Sequence, residues 1–167
     1  MPTFKRTGVR ALDAPERLAW LRLIRSENVG PVTFTTLLQR CGAAGPALDA
    51  LPELARRGGR KKPIKVCAQA DADSEVAATQ AAGARLVARC EPDYPPALAA
   101  LPDAPPVLVV KGSAHLLVRP AIAMVGARNA SAAGVRLARE LGQALGQKGL
   151  TVVSGLARGI DGAAHEG

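Results

Sequence analysis

The sequence predicts an α/β protein in which a small helical domain is followed by a parallel sheet, and two observations support this prediction. In the first 60 positions, apolar residues recur at the spacing of amphipathic helices. Farther along, apolar runs at 107–110, 121–125 and 150–154 end in turns, and a helical segment at 131–148 lies between the last two. Strands that alternate with helices are typical of parallel sheets.

The helical domain begins with a predicted hairpin of two helices. Apolar residues at helical spacing indicate helices at 15–26 and 33–40, and the turn between them runs from Asn28 to Pro31. A third helix is expected at 47–57 and part of a fourth at 76–82. We therefore expect a compact helical bundle ahead of the strands.

Three parts of the chain are expected. Residues 1–70 would form the helical domain with a basic loop, 71–105 a connecting segment, and 106–167 the start of an incomplete sheet domain. Three strands and one crossover helix would leave sheet edges and one face uncovered. The last predicted helix begins near Ile160, only a few residues before Gly167. We therefore expect the chain to be a fragment or a truncated product of a longer protein.

The loop after the strand at 150–154 has the outline of a phosphate site. Backbone N–H groups at the start of the following helix would lack partners and attract anions. Ser154 would add a hydroxyl donor, while Gly155 and Gly159 would allow positive φ and close approach of a phosphate. Asp161 would cap the helix. The alternative is an ordinary βα turn, in which the same residues serve geometry alone.

A second turn, Gly126-Ala127-Arg128-Asn129, follows the strand at 121–125. Parallel strands deliver their carboxyl ends to one edge of a sheet, so Arg128 is expected beside the glycine-containing loop. The planar guanidinium can bond two phosphate oxygens at once. Two plainer alternatives stay open, in which Arg128 is a solvated turn residue or pairs with Asp161.

Taken together, these motifs resemble the DprA/Smf family, the DNA-processing proteins of bacterial natural transformation. The resemblance covers residues 90–167, and residues 15–60 add weaker support. It rests on the following stretches: Asp93-Tyr94-Pro95-Pro96-Ala97-Leu98, the run from Pro105 to Gly112, Gly126-Ala127-Arg128, the run from Val152 to Asp161, and Ala164-His165.

The resemblance implies a Rossmann-like sheet domain behind a SAM-like or helix-hairpin-helix-like domain. It also implies a protein that is not an enzyme, that protects incoming single-stranded DNA and that helps to load the RecA recombinase. It implies no cofactor, no membrane partner and a homodimer of the full-length form. The implied phosphate-binding residues are Gly126, Ala127, Arg128, Asn129, Ser154, Gly155, Leu156, Ala157, Arg158 and Gly159, with Arg128 as the main cation.

The net charge of +8 lies entirely in the first part of the chain. Residues 1–65 hold 13 Lys and Arg against 5 Asp and Glu, whereas residues 66–167 hold nine of each. The densest stretch, 56–65, is a basic loop that would attract nucleic-acid phosphates without reading sequence, or would simply be a solvated linker. With four aromatic residues in the chain, backbone contacts are expected rather than base stacking.

Several other classes of function find little support. Val32 stands where a DNA-binding helical hairpin has its second glycine, so the helical domain is expected to pack or to bind a partner. The three widely spaced cysteines indicate neither a disulfide framework nor a zinc site. Neither a Gly-x-Gly-x-x-Gly nor a Walker sequence occurs. No apolar run is long enough for a membrane span and no signal peptide is evident, so a cytoplasmic protein is expected.

Two alternatives to DNA binding remain open from the sequence. A related Rossmann-like fold could hold a nucleotide and cleave it, as a nucleoside monophosphate hydrolase does. The other alternative is an inert truncated fragment whose DNA site is incomplete.

Overall fold

A computed structural model describes residues 9–167 and divides the chain into two compact units, Met1–Ala114 and His115–Gly167. Residues 1–8, which include Phe4 of the expected helical domain, lie outside the described part, so the first unit is described from residue 9 onward. The first unit is mainly helical and the second contains parallel strands with helices. The fold is therefore α/β, with the helical part first, as the sequence predicts.

Four helices build most of the first unit: α1 (Ala14–Arg25), α2 (Pro31–Cys41), α3 (Ala44–Arg57) and α4 (Gln69–Ala81). Helix α1 begins where the Asp13 carboxylate accepts a hydrogen bond from the Glu16 N–H at 2.8 Å. The helices agree with the predicted ones to within a few residues, except that α4 begins seven residues before the expected segment.

The core of this unit is mostly aliphatic. Two of its aromatic side chains, Trp20 and Phe34, meet edge to face with ring centroids 4.9 Å apart, which joins α1 to α2. Leu23, Leu48 and Leu51 are buried around them. Burial of these side chains is the main stabilising term for the bundle.

An antiparallel pair of strands completes the first unit and corrects one prediction. Strand β1 (Ala84–Ala88) pairs with β2 (Val107–Lys111), and a short helix, α5 (Pro96–Ala99), lies between them in the chain. The run at 107–110 is thus a strand, but its expected place in the parallel sheet is wrong. Its partner is the unpredicted β1, and residues up to 114 belong to the first unit.

The second unit follows a β–α–β–α order. Strand β3 (Ala121–Ala123), helix α6 (Ala132–Gln147), strand β4 (Thr151–Val153) and helix α7 (Ile160–Glu166) succeed one another. A 3₁₀ turn, Ala114–Val118, lies at the division between the units. Strands β3 and β4 are parallel, as expected for the start of a Rossmann-like sheet. Both are shorter than the sequence predicts, and the sheet has two strands in the described residues rather than three.

Helices α6 and α7 pack closely against each other at Gly142. Gly142 is buried in α6, and a Cβ placed there would lie 2.3 Å from the Ala164 carbonyl oxygen of α7. The close approach of the two helices therefore requires glycine, which has no side chain, at position 142. Over residues 9–167, no helix is both long enough and apolar enough to cross a membrane.

A buried carboxylate holds α1 against the end of β1. Glu91 accepts hydrogen bonds from the Arg17 guanidinium, from the Ala88 N–H at 2.8 Å and from the Leu12 N–H at 3.3 Å. Burial by itself raises the pKa of Glu91, but these donors favour the charged form and bring the pKa below its ordinary value. The charged carboxylate is therefore part of the folded structure.

We expect Glu91→Gln to lower the free energy of unfolding by about 1.5–3 kcal/mol, because the bonds to a charged acceptor are lost. In the parent protein this contribution is fully present above the unfolded pKa of about 4.3 and is lost as the pH falls through the lower folded pKa. Urea unfolding at several pH values measures both effects. Asp93→Asn, at an exposed ion pair with Arg85, is the control and should change stability by less than about 1 kcal/mol. An equal loss in both variants would contradict the assignment.

Candidate functional site

Two loops meet at the carboxyl ends of the parallel strands. The first loop (124–131) follows β3 and the second loop (154–159) follows β4. The Ile160 N–H donates to the Ala127 carbonyl at 3.2 Å, and the Arg158 guanidinium donates to the Asn129 side-chain oxygen at 2.8 Å. The loops thus lie side by side, as parallel strand geometry predicts.

Asp161, at the start of α7, joins the two loops through its carboxylate. The side chain is buried, with 5% of its surface exposed. One oxygen accepts from the Gly126 N–H and the other from the Gly155 N–H, each at 3.1 Å. The prediction that Asp161 caps the helix is wrong, because Gly159 is the N-cap residue. The alternative pairing of Arg128 with Asp161 is also wrong, since both oxygens face backbone donors.

Ser154 and its neighbours hold the second loop in shape. The Ser154 hydroxyl accepts from the Leu156 N–H at 3.1 Å and donates to the Asp161 carbonyl at 3.4 Å. The positive φ expected at Gly155 falls instead on Leu156, at 51°. The hydroxyl of Ser154 and the N–H groups of Gly155 and Leu156 are thus already engaged within the protein.

Two glycines allow the loops to approach each other. Gly159 has a φ of 92°, and a Cβ placed on it would lie 2.3 Å from the Ala127 carbonyl oxygen. A Cβ on Gly126 would lie 2.6 Å from the Cβ of Ile160. Their bare backbone therefore brings one loop against the other.

A surface depression of about 630 Å³ lies where the two loops meet the helices α6 and α7. It is lined by Arg128, Asn129, Ala130, Val135, Arg139, Arg158, Gly159, Gly162, Ala163 and Glu166. Arg139 forms an ion pair with Glu166 across the two helices. Among the described residues that line the depression, Arg128 and Arg158 have no carboxylate partner, so this surface carries an excess of positive charge.

The depression takes in part of the predicted site. Four of the predicted residues line it: Arg128, Asn129, Arg158 and Gly159. Gly126 and Ala127 bind the start of α7 instead, and residues 154–157 lie outside the depression. Sequence reasoning missed Arg139 and Glu166. Only the i, i+4 spacing of Val135 and Arg139 could have indicated Arg139, because it places these two residues on the same face of α6.

The remaining chemistry-bearing residues lie elsewhere. Cys41, Cys67 and Cys90 are free thiols, and burial raises the pKa of Cys67 and of Cys90. Within residues 9–167, no group of three or more His, Cys, Asp or Glu side chains is placed to hold a metal ion. The described residues that line the depression thus present three guanidinium groups, one amide and one carboxylate.

The chain matches two family models that adjoin along its length. Residues 14–78 match a DprA-like N-terminal HHH domain, and residues 85–167 match DNA recombination-mediator protein A. The first match falls on the helical bundle. The second includes both loops and the depression.

Curated relatives agree with these matches. The chain is 32% identical over 160 residues to Protein Smf of Synechocystis sp., which is 90% of this chain and 40% of the relative. It is 47% identical over 73 residues to Protein Smf of Escherichia coli, covering 44% and 20% of the two chains. It is 44% identical over 72 residues to DNA processing protein DprA of Streptococcus pneumoniae, covering 43% and 25%.

These matches show that the chain belongs to the DprA/Smf family of DNA-processing and recombination-mediator proteins. The chain spans between 20% and 40% of the length of these three relatives.

We expect Asp161→Asn to lower the free energy of unfolding of the second unit by about 1–3 kcal/mol. The amide turns an N–H toward one of the two backbone donors, so that one loop loses its acceptor. Amide hydrogen exchange at Gly126 and Gly155 would report which loop is released. His165→Ala, on the exposed surface of the same helix, is the control. Unchanged protection at both glycines would contradict the bridging role.

We expect Gly159→Ala to destabilise the second unit, because the Cβ would meet the Ala127 carbonyl at a φ that L side chains rarely adopt. Gly146→Ala in α6 is the matched glycine control. Nothing lies within 4 Å of its Cβ position, so it should stabilise by roughly 0.5–1 kcal/mol. Thermal unfolding of both variants measures the contrast. Equal behaviour would mean that the loops do not need the bare backbone at Gly159.

Proposed function

We propose that the second unit binds single-stranded DNA through its phosphates and that the depression between the two loops is the contact site. The observation that supports this most is the pair of guanidinium groups, Arg128 and Arg158, without carboxylate partners among the described residues that line the depression. Arg128 has no hydrogen-bonding partner within the described part of the chain and would be the main cation. Arg158, held by Asn129, would be the second.

In this proposal the phosphate is held mainly by side chains. The N–H groups of Gly155 and Leu156 already have acceptors in the protein. A guanidinium can offer two parallel N–H donors to one phosphate and does not titrate near neutral pH. The loop from Ser154 to Ala157 would not contact the phosphate itself but would fix the position of Arg158.

The mode of recognition would be independent of base sequence. Residues 115–167 contain no Phe, Trp or Tyr, so this unit offers no aromatic ring for base stacking. Contacts to phosphates fix a strand in place without reading its bases. A flexible single strand can also turn its backbone into a concave site more easily than a duplex can, which favours the single strand as ligand.

The role would be that of a mediator rather than of an enzyme. Glu166 is the one carboxylate among the described lining residues, and its ion pair with Arg139 leaves it poorly placed for acid–base chemistry. Membership of a family described as a recombination mediator supports a further part of the proposal. This further part is that the full-length protein works in the cytoplasm, shields the bound strand, forms a homodimer and helps to load RecA.

We expect Arg128→Ala to weaken binding of a labelled single-stranded oligonucleotide by about 1.5–3 kcal/mol, because one charge-assisted contact to a phosphate is lost. The slope of log K against log salt should fall by about one. Fluorescence anisotropy with two oligonucleotides of different sequence measures both, and the affinity should hardly depend on sequence.

Arg136→Ala is the matched control for this experiment. Arg136 is an exposed cation on α6 outside the depression, 3.9 Å from Glu140, and its removal subtracts the same charge from the same unit. If both variants lose affinity equally, the depression is not the contact site. If neither does, while circular dichroism shows that both are folded, the proposed function is wrong.

A further inference from the structure

The basic stretch of the first unit is fastened to the turn of the helical hairpin. Glu27, in the turn between α1 and α2, accepts from the Arg60 guanidinium with one carboxylate oxygen and from the Lys65 N–H at 3.0 Å with the other. Its own N–H donates to the Lys65 carbonyl at 2.9 Å. The Lys65 N–H and the Arg60 guanidinium also hold the pKa of Glu27 below its ordinary value. One residue thus binds both ends of the segment 60–65.

Further contacts fix the course of this segment. Ile64 and Val66 pack against the helical core, while Lys65 between them is exposed. The Cys67 N–H donates to the Ser26 hydroxyl oxygen at 3.0 Å. The segment is therefore an ordered part of the unit, which a solvated linker would not be.

The basic ridge, as we name it, carries a surplus of positive charge. It consists of six residues: Arg56, Arg57, Arg60, Lys61, Lys62 and Lys65. Arg56 and Arg57 share the carboxylate of Glu53, and Arg60 binds Glu27. Six cations thus face two carboxylates. The three lysine side chains are exposed and have no ion-pair partner among the residues that the structure describes.

The adjoining turn leaves room for a ligand beside the ridge. Asn28 and Gly30 are exposed, and nothing lies within 4 Å of the position that a Cβ on Gly30 would take. A polyanion could therefore approach the backbone of the turn while its charges meet the lysines.

We propose that the basic ridge and the hairpin turn form a second DNA contact surface, separate from the depression of the second unit, which binds the phosphate backbone without reading sequence. Compact ammonium groups on an ordered segment suit the phosphates of a nucleic-acid backbone. An anionic lipid surface is a poorer match, because α3, the helix that carries Arg56 and Arg57, buries its apolar face in the core and has none to insert.

The proposal is tested in the complete chain carrying Arg128→Ala, so that the depression does not mask the ridge. Removal of the three lysines, as Lys61→Ala, Lys62→Ala and Lys65→Ala together, should lower DNA affinity on the order of tenfold at low salt. The slope of log K against log salt should fall by about two to three.

A matched control removes three cations elsewhere, as Lys111→Ala, Arg136→Ala and Lys148→Ala together. All three are exposed, and the control has the same net charge as the ridge variant. Equal affinity of the two triple variants would overturn the proposal. So would a complete loss of DNA binding in Arg128→Ala alone, an outcome that would leave the proposed function of the depression intact.

Glu27→Gln separates a positioned surface from diffuse attraction. The substitution removes a negative charge, so simple electrostatics predicts tighter DNA binding. If the contacts of the Glu27 carboxylate with Arg60 and Lys65 position the ridge, DNA binding should weaken by roughly threefold or more. The reason is that the segment 60–65 loses its fixed place beside the turn. Tighter binding would overturn the positioned surface.

Separate arms with duplex DNA and with anionic phospholipid vesicles identify the ligand. Binding of single-stranded or duplex DNA that depends on the three lysines supports the proposal and tells which form is preferred. Lysine-dependent binding to vesicles without such binding to DNA would overturn it. Thermal unfolding of each variant confirms that a loss of binding is not a loss of fold.

Discussion

The second unit depends on one buried carboxylate. A charge removed from water must be compensated, and at Asp161 the compensation comes from two backbone N–H groups on loops that follow different strands. The requirement works in both directions, because the loops would otherwise bury unsatisfied donors of their own. Gly126 and Gly159 complete the arrangement by removing the side chains that would keep the loops apart. Charge, hydrogen bonding and sterics thus specify the same geometry.

This arrangement changes which groups the site presents to solvent. A glycine-containing loop before a helix is commonly an anion site made of backbone N–H groups. Here Asp161 and Ser154 already engage two of those groups, on Gly155 and Leu156. The surface left for an anion therefore consists largely of guanidinium groups, carried on loops whose backbone has been fixed from within. The same division recurs at the basic ridge, where Glu27 engages backbone and one arginine while the lysines stay exposed.

The longer helices and three of the four strands in the described residues follow from the sequence because they are set by local periodicity. The side-by-side loops follow too, since parallel strands end at a common edge. The partner of the strand at 107–111 does not, because pairing is non-local and Ala84–Ala88 has few β-branched residues to mark it. The role of Asp161 was hidden for a related reason. An aspartate near a helix start is typical of a cap. Only the hydrogen bonds of Asp161 to backbone donors on two different loops show that it bridges them instead.

The bridge at Asp161 has a mechanical consequence. Because the two loops share an acceptor, and because the Arg158 guanidinium also binds Asn129, displacement of one loop must strain the other. The backbone beneath both arginines is thereby assembled in advance, so an anion bound as proposed would cost it little further freedom. For the proposed phosphate site this means that a ligand would meet loops already in place rather than draw flexible loops around itself.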